Sequence, residues 1–139
     1  MNYEKLLKYR MERNQFARHL GIQLTEITLG GAKGIVEIQP EHLNPIGSVH
    51  GGCLFTLADV VAAAAASSYG EHITTMDCNI HYLKAGLNST SIHADAKVLK
   101  HGRKVTVVEV GITDQDGVLL ITAILTFMSL GKPITECLE

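Results

Sequence analysis

Two groups in one short segment have the chemistry to act together on a carbonyl compound. The segment reads NPIGSVHGGCLFTLADVVAAAAASSYG and runs from Asn44 to Gly70. Gly51 and Gly52 open a helix-favouring run, and glycines let another molecule approach their backbone N–H groups closely. The first N–H groups of a helix lack intrahelical acceptors, so they can stabilise the negative oxygen that forms in acyl transfer. The two glycines are equally compatible with a simple turn into a helix.

Asp59 is a carboxylate in the middle of the same apolar run. Asp is a poor residue for a helix interior, and a buried carboxylate is costly unless it has a partner. Such groups often have a raised pKa or a chemical role. Asp59 is therefore a candidate general base or nucleophile, and a structural hydrogen bond to a strand hydroxyl is the alternative.

The spacing of these two groups predicts a dimer. The step from Gly51 to Asp59 rises about 12 Å along an α-helix. A reacting carbonyl group must lie about 3 Å from both the oxyanion donor and the attacking group. One chain cannot meet this requirement, but two antiparallel helices can, so we expect a homodimer with two equivalent sites.

Hydrophobic periodicity predicts the elements that position these groups. Residues of about 1–20 form a short amphipathic N-terminal helix, and GIQLTEITLGGAKGIVEIQP forms two strands around a glycine turn. The central helix, about 51–68, is apolar nearly all round and must be buried. Four β-rich runs follow it: HITTMDCNIHYLKA, SIHADAKVLK, RKVTVVEVGITD and VLLITAILTFMSL. We expect one α+β domain over residues 1–139, with a curved antiparallel sheet wrapped around the helix, which is the hotdog fold.

Composition narrows the class of protein. The formal net charge of −2 argues against nucleic acid as a partner, and no apolar run reaches the length of about 20 residues that spans a bilayer. The charged start of the chain does not resemble a secretory signal, and its 3 cysteines form no CxxC pair. We expect a cytoplasmic protein without a membrane partner. No two histidines have HxH or HxxxH spacing, so we expect no metal site.

Three motifs resemble those of a known family. NPIGSVHGGCLFTLADVVAAAAA, ITTMDCNIHYLKA and KHGRKVTVVEVGITDQDGVLL are similar to the hotdog acyl-CoA thioesterases of the PaaI-like (phenylacetyl-CoA thioesterase) group. The similarity extends from about Gly21 to Leu130. It implies hydrolysis of an aryl- or fatty-acyl-CoA to CoA and free acid, with CoA as part of the substrate and no cofactor. It also implies self-association, as a homodimer and often as a dimer of dimers.

The resemblance assigns a role to each residue that matches the family motif. The N–H of Gly51 would polarise the thioester carbonyl, and Asp59 of the partner chain would be the nucleophile or base. His50 would hold the turn and the loop that carries Asn44, whose amide would position the attacking water or the thioester. Thr75 stands where the family often has a hydroxyl residue that bonds the catalytic carboxylate.

Substrate contacts are expected from the glycine entry, the helix and two basic segments. KHGRK lies at a turn between strands, where Lys and Arg suit the phosphates of CoA, although a solvated hairpin end has the same composition. Lys84 matches a basic family position, but Ala85-Gly86 replaces the Pro-Ala that often follows it. The expected substrate-binding residues are Gly52, Phe55, Lys84, Lys100, His101, Gly102, Arg103 and Lys104. The expected apolar tunnel walls are Leu54, Phe55, Met76 and Tyr82.

Other readings of the same residues stay open at this point. Cys53 lies in the first helical turn, where a thiol pKa can be lowered, and His50 could serve it as a base. The hotdog fold also carries hydratases and dehydratases, which would pair His50 with Asp59, and non-hydrolytic acyl-CoA-binding modules. A polar stripe on one strand face could line an interface, the substrate tunnel or solvent; its members are Thr75, Asp77, Asn79 and His81.

Overall fold

A computed structural model describes the whole chain, from Met1 to Glu139. Its helices are α1 (Tyr3–Arg13), α2 (Gln15–His19) and α3 (Gly51–Ser67), and short 3-10 turns cover Pro40–His42 and Thr135–Cys137. Its strands are β1 (Gln23–Thr28), β2 (Gly31–Glu37), β3 (Glu71–Tyr82), β4 (Ser91–His101), β5 (Val105–Asp114) and β6 (Leu119–Pro133). No helix is long and apolar enough to cross a membrane.

The strands form one antiparallel sheet that surrounds α3. The order across the 6-stranded sheet is β1-β2-β4-β5-β6-β3, and α3 contacts every strand. The predicted hotdog fold of the α+β class is confirmed, and the central helix ends one residue before the predicted Ser68. Strand β3 lies at an edge of the sheet because it pairs only with β6.

Small residues let the sheet close on α3. The side chains from Ala62 to Ala66 are all buried, so the strands pack against a nearly smooth helix surface. A Cβ atom at Gly34 of β2 would lie 2.7 Å from Cγ2 of Val61 and 3.1 Å from the carbonyl oxygen of Gln23. Gly34 therefore sets the closest approach of β2 to α3.

The N-terminal segment contains two helices, whereas one was predicted. Asn14 ends α1, with its N–H bonded to the carbonyl of Arg10, and its side chain accepts a hydrogen bond from the N–H of Ala17. An Asn side chain competes with backbone hydrogen bonding in this way and favours helix caps over helix interiors. The predicted helical N-terminal segment is confirmed, and the structure divides it into two helices at Asn14.

We expect Gly34→Ala to destabilise the protein by about 1–3 kcal/mol, because the new methyl group has no space between α3 and β1. Urea unfolding followed by circular dichroism measures the change. Gly111→Ala is the matched control, since a Cβ atom there meets its nearest neighbour, Cδ1 of Leu119, at an ordinary 3.6 Å. We expect the control to change the free energy of unfolding by less than about 0.5 kcal/mol. Equal effects of the two substitutions would contradict the packing argument.

Candidate active site

The N-terminus of α3 presents one free N–H group. His50 caps the helix, and its Nδ1 accepts a hydrogen bond of 2.8 Å from the N–H of Gly52. The N–H groups of Cys53 and Leu54 donate to the carbonyl of His50, whereas that of Gly51 has no acceptor in the protomer. The helix dipole and the missing acceptor together make the Gly51 N–H a donor ready for an anionic oxygen. The N–H of Gly52, in contrast, is already satisfied.

Asn44 stabilises its own loop. Its Oδ1 accepts hydrogen bonds from the N–H groups of Ile46 and Ser48, each at 3.1 Å, and its Nδ2 donates to Oγ of Ser48 at 2.7 Å. The N–H of His50 donates to the carbonyl of His42 at 2.8 Å, which ties the loop to the helix entry. One of the two amide hydrogens of Asn44 remains available to another partner.

The carboxylate of Asp59 has a hydroxyl partner on β3. Asp59 is half-buried, and its Oδ1 accepts a hydrogen bond of 2.8 Å from Oγ1 of Thr75. The bond fixes one carboxylate oxygen and leaves the other without a partner in the protomer.

A β-bulge turns Thr75 toward Asp59. Thr75 pairs with the buried Phe127, and Asp77 pairs with the adjacent Thr126. Met76 therefore has no partner of its own in β6 and is an extra residue in β3. Bulges reverse the alternation of side chains along a strand. The predicted polar stripe is therefore wrong at one end: Thr75 faces the helix, while Asp77 and the rest of the stripe line an outer groove of about 850 Å³.

Tyr82 holds the other end of the site, a contact that the sequence did not indicate. Its hydroxyl donates to the carbonyl of Gly51 at 3.1 Å, and its ring is 3.2 Å from the Cβ position of that glycine. Burial, together with nearby Cys78, raises the pKa of Tyr82, so its hydroxyl keeps its proton at neutral pH. Within one chain, β3 thus contacts Asp59 through Thr75 and Gly51 through Tyr82, at well-separated points along the strand.

An apolar cavity adjoins the start of α3. It has a volume of about 420 Å³, and Phe16 and Leu20 of the α2 region form one wall while Phe55 forms another. Phe16 is 63% exposed, and its position here had no sequence signal beyond the amphipathic N-terminal segment. Leu54, an expected tunnel wall, is only 3% exposed and belongs to the core, because helical periodicity turns it toward the sheet.

The basic turn forms a separate groove at the far end of α3. Lys100, Gly102, Arg103 and Lys104 line a groove of about 410 Å³. His101 is held beside it: its ring stacks on Tyr69 with centroids 3.7 Å apart, and its Nδ1 is 2.9 Å from Oγ1 of Thr106. Lys84 is not part of this groove, since it follows β3 and its N–H donates to the carbonyl of Leu120.

Comparisons with known proteins show the family of this chain. The model of the thioesterase superfamily matches residues 46–121, which include the helix entry, Asp59 and Thr75. The acyl-coenzyme A thioesterase PaaI of Escherichia coli is 32% identical over 104 residues, which cover 75% of this chain and 74% of that protein.

Two solved structures share the architecture. The structure of the E. coli PaaI protein from the phenylacetic acid degradation operon superposes with a TM-score of 0.88 at 26% identity, over 96% of this chain and 99% of that chain. A hypothetical thioesterase from Streptococcus pneumoniae with coenzyme A superposes with a TM-score of 0.76 at 28% identity, over 81% of this chain and 88% of that chain.

The chain belongs to the thioesterase superfamily. Within it, the fold and the relatives make it a PaaI-like hotdog thioesterase, a hydrolase of thioester bonds. No group of three or more His, Cys, Asp or Glu side chains is clustered closely enough to hold a metal ion.

Cys53 does not have the environment of a nucleophile. The sequence suggested a lowered thiol pKa at the helix N-terminus, but burial raises the pKa of Cys53 instead. His50 cannot act as its base in this arrangement, because Nδ1 of His50 is engaged with the N–H of Gly52. The structure therefore does not favour the alternative of an activated thiol, because burial favours the protonated form.

We expect Cys53→Ala to keep the thioesterase turnover within about threefold of wild type, because a protonated, buried thiol takes no part in catalysis. A chromogenic thiol assay measures it. Iodoacetamide labelling followed by peptide mass spectrometry is the companion test: Cys53 should be labelled slowly at neutral pH in the native protein and faster as the pH rises toward its raised pKa. Loss of turnover together with rapid native labelling would restore Cys53 as a nucleophile.

Proposed function

We propose that this thioesterase hydrolyses aryl- or fatty-acyl-CoA at a site shared by two protomers. The observation that carries the proposal is a pair of available groups on α3: the free N–H of Gly51, and the carboxylate of Asp59, which bonds Thr75 through one oxygen and has no partner in the protomer for the other. In the proposed site, the Gly51 N–H of one protomer and Asp59 of its partner face the same thioester carbon.

The open edge of β3 supports the shared site. The strand is 12 residues long, one side of it has no neighbour in the sheet, and both Gly51 and Asp59 bond to its side chains. Met76 and Tyr82 are 50% and 52% exposed, so this strand presents large side chains to solvent near both groups. A long exposed edge strand pairs readily with a copy of itself, and a two-fold axis there would bring two α3 helices antiparallel.

The proposed reaction uses few groups. Asp59 takes a proton from water that attacks the thioester carbon, or attacks that carbon directly, and the Gly51 N–H stabilises the oxyanion of the tetrahedral intermediate. Collapse of the intermediate breaks the carbon–sulfur bond. In the direct route this leaves a mixed anhydride on Asp59, which water hydrolyses to the free acid and the restored carboxylate. CoA thiolate is a good leaving group, so no general acid is required beside Asp59. Thr75 keeps the carboxylate in one orientation, and the remaining amide hydrogen of Asn44 can contact the water or the thioester.

Two cavities suit the two halves of the substrate. The apolar cavity beside Phe16 and Phe55 fits an acyl group, and the basic groove of Lys100, Arg103 and Lys104 carries the charge that binds CoA phosphates. The structural relative from Streptococcus pneumoniae contains coenzyme A, and the Escherichia coli relative is an acyl-coenzyme A thioesterase. The three cysteines are free, which is consistent with a reducing compartment such as the cytoplasm.

A panel of acyl-CoA substrates with Asp59→Asn tests the activity. We expect CoA release by the wild type, measured with a thiol-reactive dye, and a loss of about 10²- to 10⁴-fold in kcat for the variant. The variant keeps the shape of the side chain and an acceptor for Thr75. Supplying the same acyl groups as pantetheine thioesters, which lack the nucleotide, should raise KM and leave kcat nearly unchanged. Tight binding without CoA release by the wild type would instead indicate a binding module.

Complementation between two inactive variants tests the shared site. Gly51→Pro removes the N–H. The helix should tolerate the substitution, because proline suits the first helical position. His50 also has a φ of −58° and a ψ of 133°, which are compatible with a following proline. We expect Gly51→Pro and Asp59→Asn each to be inactive alone. Mixed and refolded in equal amounts, they should recover about a quarter of wild-type activity, since half of the dimers gain one intact site.

Gly51→Ala is the matched control, because it places the same Cβ atom against the ring of Tyr82 but keeps the N–H. It should be far more active than Gly51→Pro. A mixture of the two inactive variants that stays inactive, or a catalytically active monomer in solution, would contradict the shared site.

A further inference from the structure

The N-terminal segment runs along α3 in the opposite direction. The Cε atom of Met1 is 3.1 Å from the Cβ position of Gly70, just beyond the end of α3, and Phe16 shares a cavity with the first turn of α3. Between these points α1 spans the two edges of the sheet: Sδ of Met11 accepts a hydrogen bond of 3.3 Å from the N–H of Leu24 in β1, and the ring of Tyr9 lies 6.3 Å from that of His72 in β3. Arg10 lies between Tyr9 and Met11 on α1, and Asp59 lies in the middle of α3.

Arg10 points inward rather than into solvent. Leu6, one helical turn earlier on the same face of α1, is fully buried. The Nε atom of Arg10 is inaccessible to solvent and has no hydrogen-bond acceptor, and its side chain forms no ion pair within 4.0 Å. Burial lowers the pKa of Arg10, and the negative charge of Asp59 opposes that effect, in agreement with their proximity. A guanidinium remains charged even so.

Asp59 forms no ion pair with a lysine, arginine or histidine within 4.0 Å. On β3 it faces Thr75 and Cys78, and burial together with the charges of Asp59 and Asp77 raises the pKa of that thiol. On α1 the neighbour of Arg10 is Tyr9. The buried residues of β1, β2, β4, β5 and β6 are apolar apart from Thr106, which bonds His101 near the end of α3. The half-buried His72 of β3 lies beside Tyr9, with ring centroids 6.3 Å apart.

We propose that Arg10 is a positioning residue for Asp59: its guanidinium stabilises the negative charge of that half-buried carboxylate. Partial burial favours the protonated form of a carboxyl group, and a nearby cation favours the ionised form that a base or nucleophile requires. Because Arg10 forms no direct ion pair, it stabilises the charge and leaves the second carboxylate oxygen free for water or substrate. The inference rests on the proposed function of Asp59.

The pH dependence of kcat/KM tests the electrostatic role. In Arg10→Met the acid limb of the profile should move up by about one pH unit or more, while the activity on the alkaline side of the limb stays within a fewfold of wild type. Arg10→Lys should return the limb toward its wild-type position. A uniform loss of activity with an unmoved limb would overturn the proposal, as would equal effects of Arg10→Lys and Arg10→Gln, which differ in charge.

A stability cycle tests the same contact without using activity. Arg10→Met, Asp59→Asn and the double variant are unfolded in urea at pH 7. Each single variant leaves one charge without its counter-charge. The urea midpoint of the double variant should therefore fall by less than the sum of the decreases in the two single variants. Arg13→Met is the matched control, because Arg13 is an exposed cation of the same helix and stacks on Tyr9. Its effect on the urea midpoint should add to that of Asp59→Asn.

The two measurements separate the two ideas. Additive shifts for Arg10 and Asp59 would overturn the inference even if the enzyme hydrolyses acyl-CoA. A coupled cycle in a protein that releases no CoA would retain the Arg10–Asp59 interaction and reject the proposed function instead.

Discussion

Burial of α3 is the constraint on which the rest of the structure depends. Twelve of its 17 residues are buried, so the helix has almost no polar face and must be surrounded. A curved sheet covers one side, and the N-terminal helices run over another. The fit is close because alanines line the helix and Gly34 lets β2 approach it. Each of the few polar groups on such an enclosed helix either has a hydrogen-bond partner or is available to a ligand.

The polar groups of α3 divide along these lines. Gly52 is capped by His50 and Asp59 is bonded by Thr75, whereas the N–H of Gly51 stays free. The strand that serves both ends of this arrangement is β3, and it is also an open edge of the sheet. The wall of the site and the surface available for self-association are therefore the same element. In the proposed dimer, pairing along that edge completes the site and provides hydrogen-bond partners for the free backbone groups of β3.

The family relationship and the local geometry support each other at different levels. Membership of the thioesterase superfamily establishes the type of bond that the protein hydrolyses. The geometry shows how few groups are available for that chemistry: a helix N-terminus, one carboxylate and no activated thiol near them. A thioester suits such a site because its sulfur leaves as a thiolate. The same groups would be poorly suited to amide hydrolysis, because the leaving nitrogen must be protonated and the site has no general acid for it.

Local sequence patterns predicted much of the fold and part of the site. The apolar run around Asp59 predicted the buried helix, and the alternation of apolar and polar residues predicted the strands. Gly51 and Gly52 predicted an available N–H group at the helix N-terminus. The details that these patterns did not predict lie where a residue acts against its local pattern. Asn14 interrupts an otherwise continuous helical segment, and the extra Met76 reverses the direction of Thr75. Neither event changes the average hydrophobic period of its segment, so periodicity alone could not reveal it.

The sequence by itself determined which elements form and which residues could do chemistry, because both depend on residue type and on spacing within about twenty positions. The tertiary structure alone decided which of those residues meet. Tyr82 contacts Gly51 across 31 positions, Phe16 shares a cavity with the first turn of α3, and Lys84 stands apart from the basic turn. Such contacts follow from how the sheet curves around α3, and that curvature is set by packing between segments that are distant in the chain.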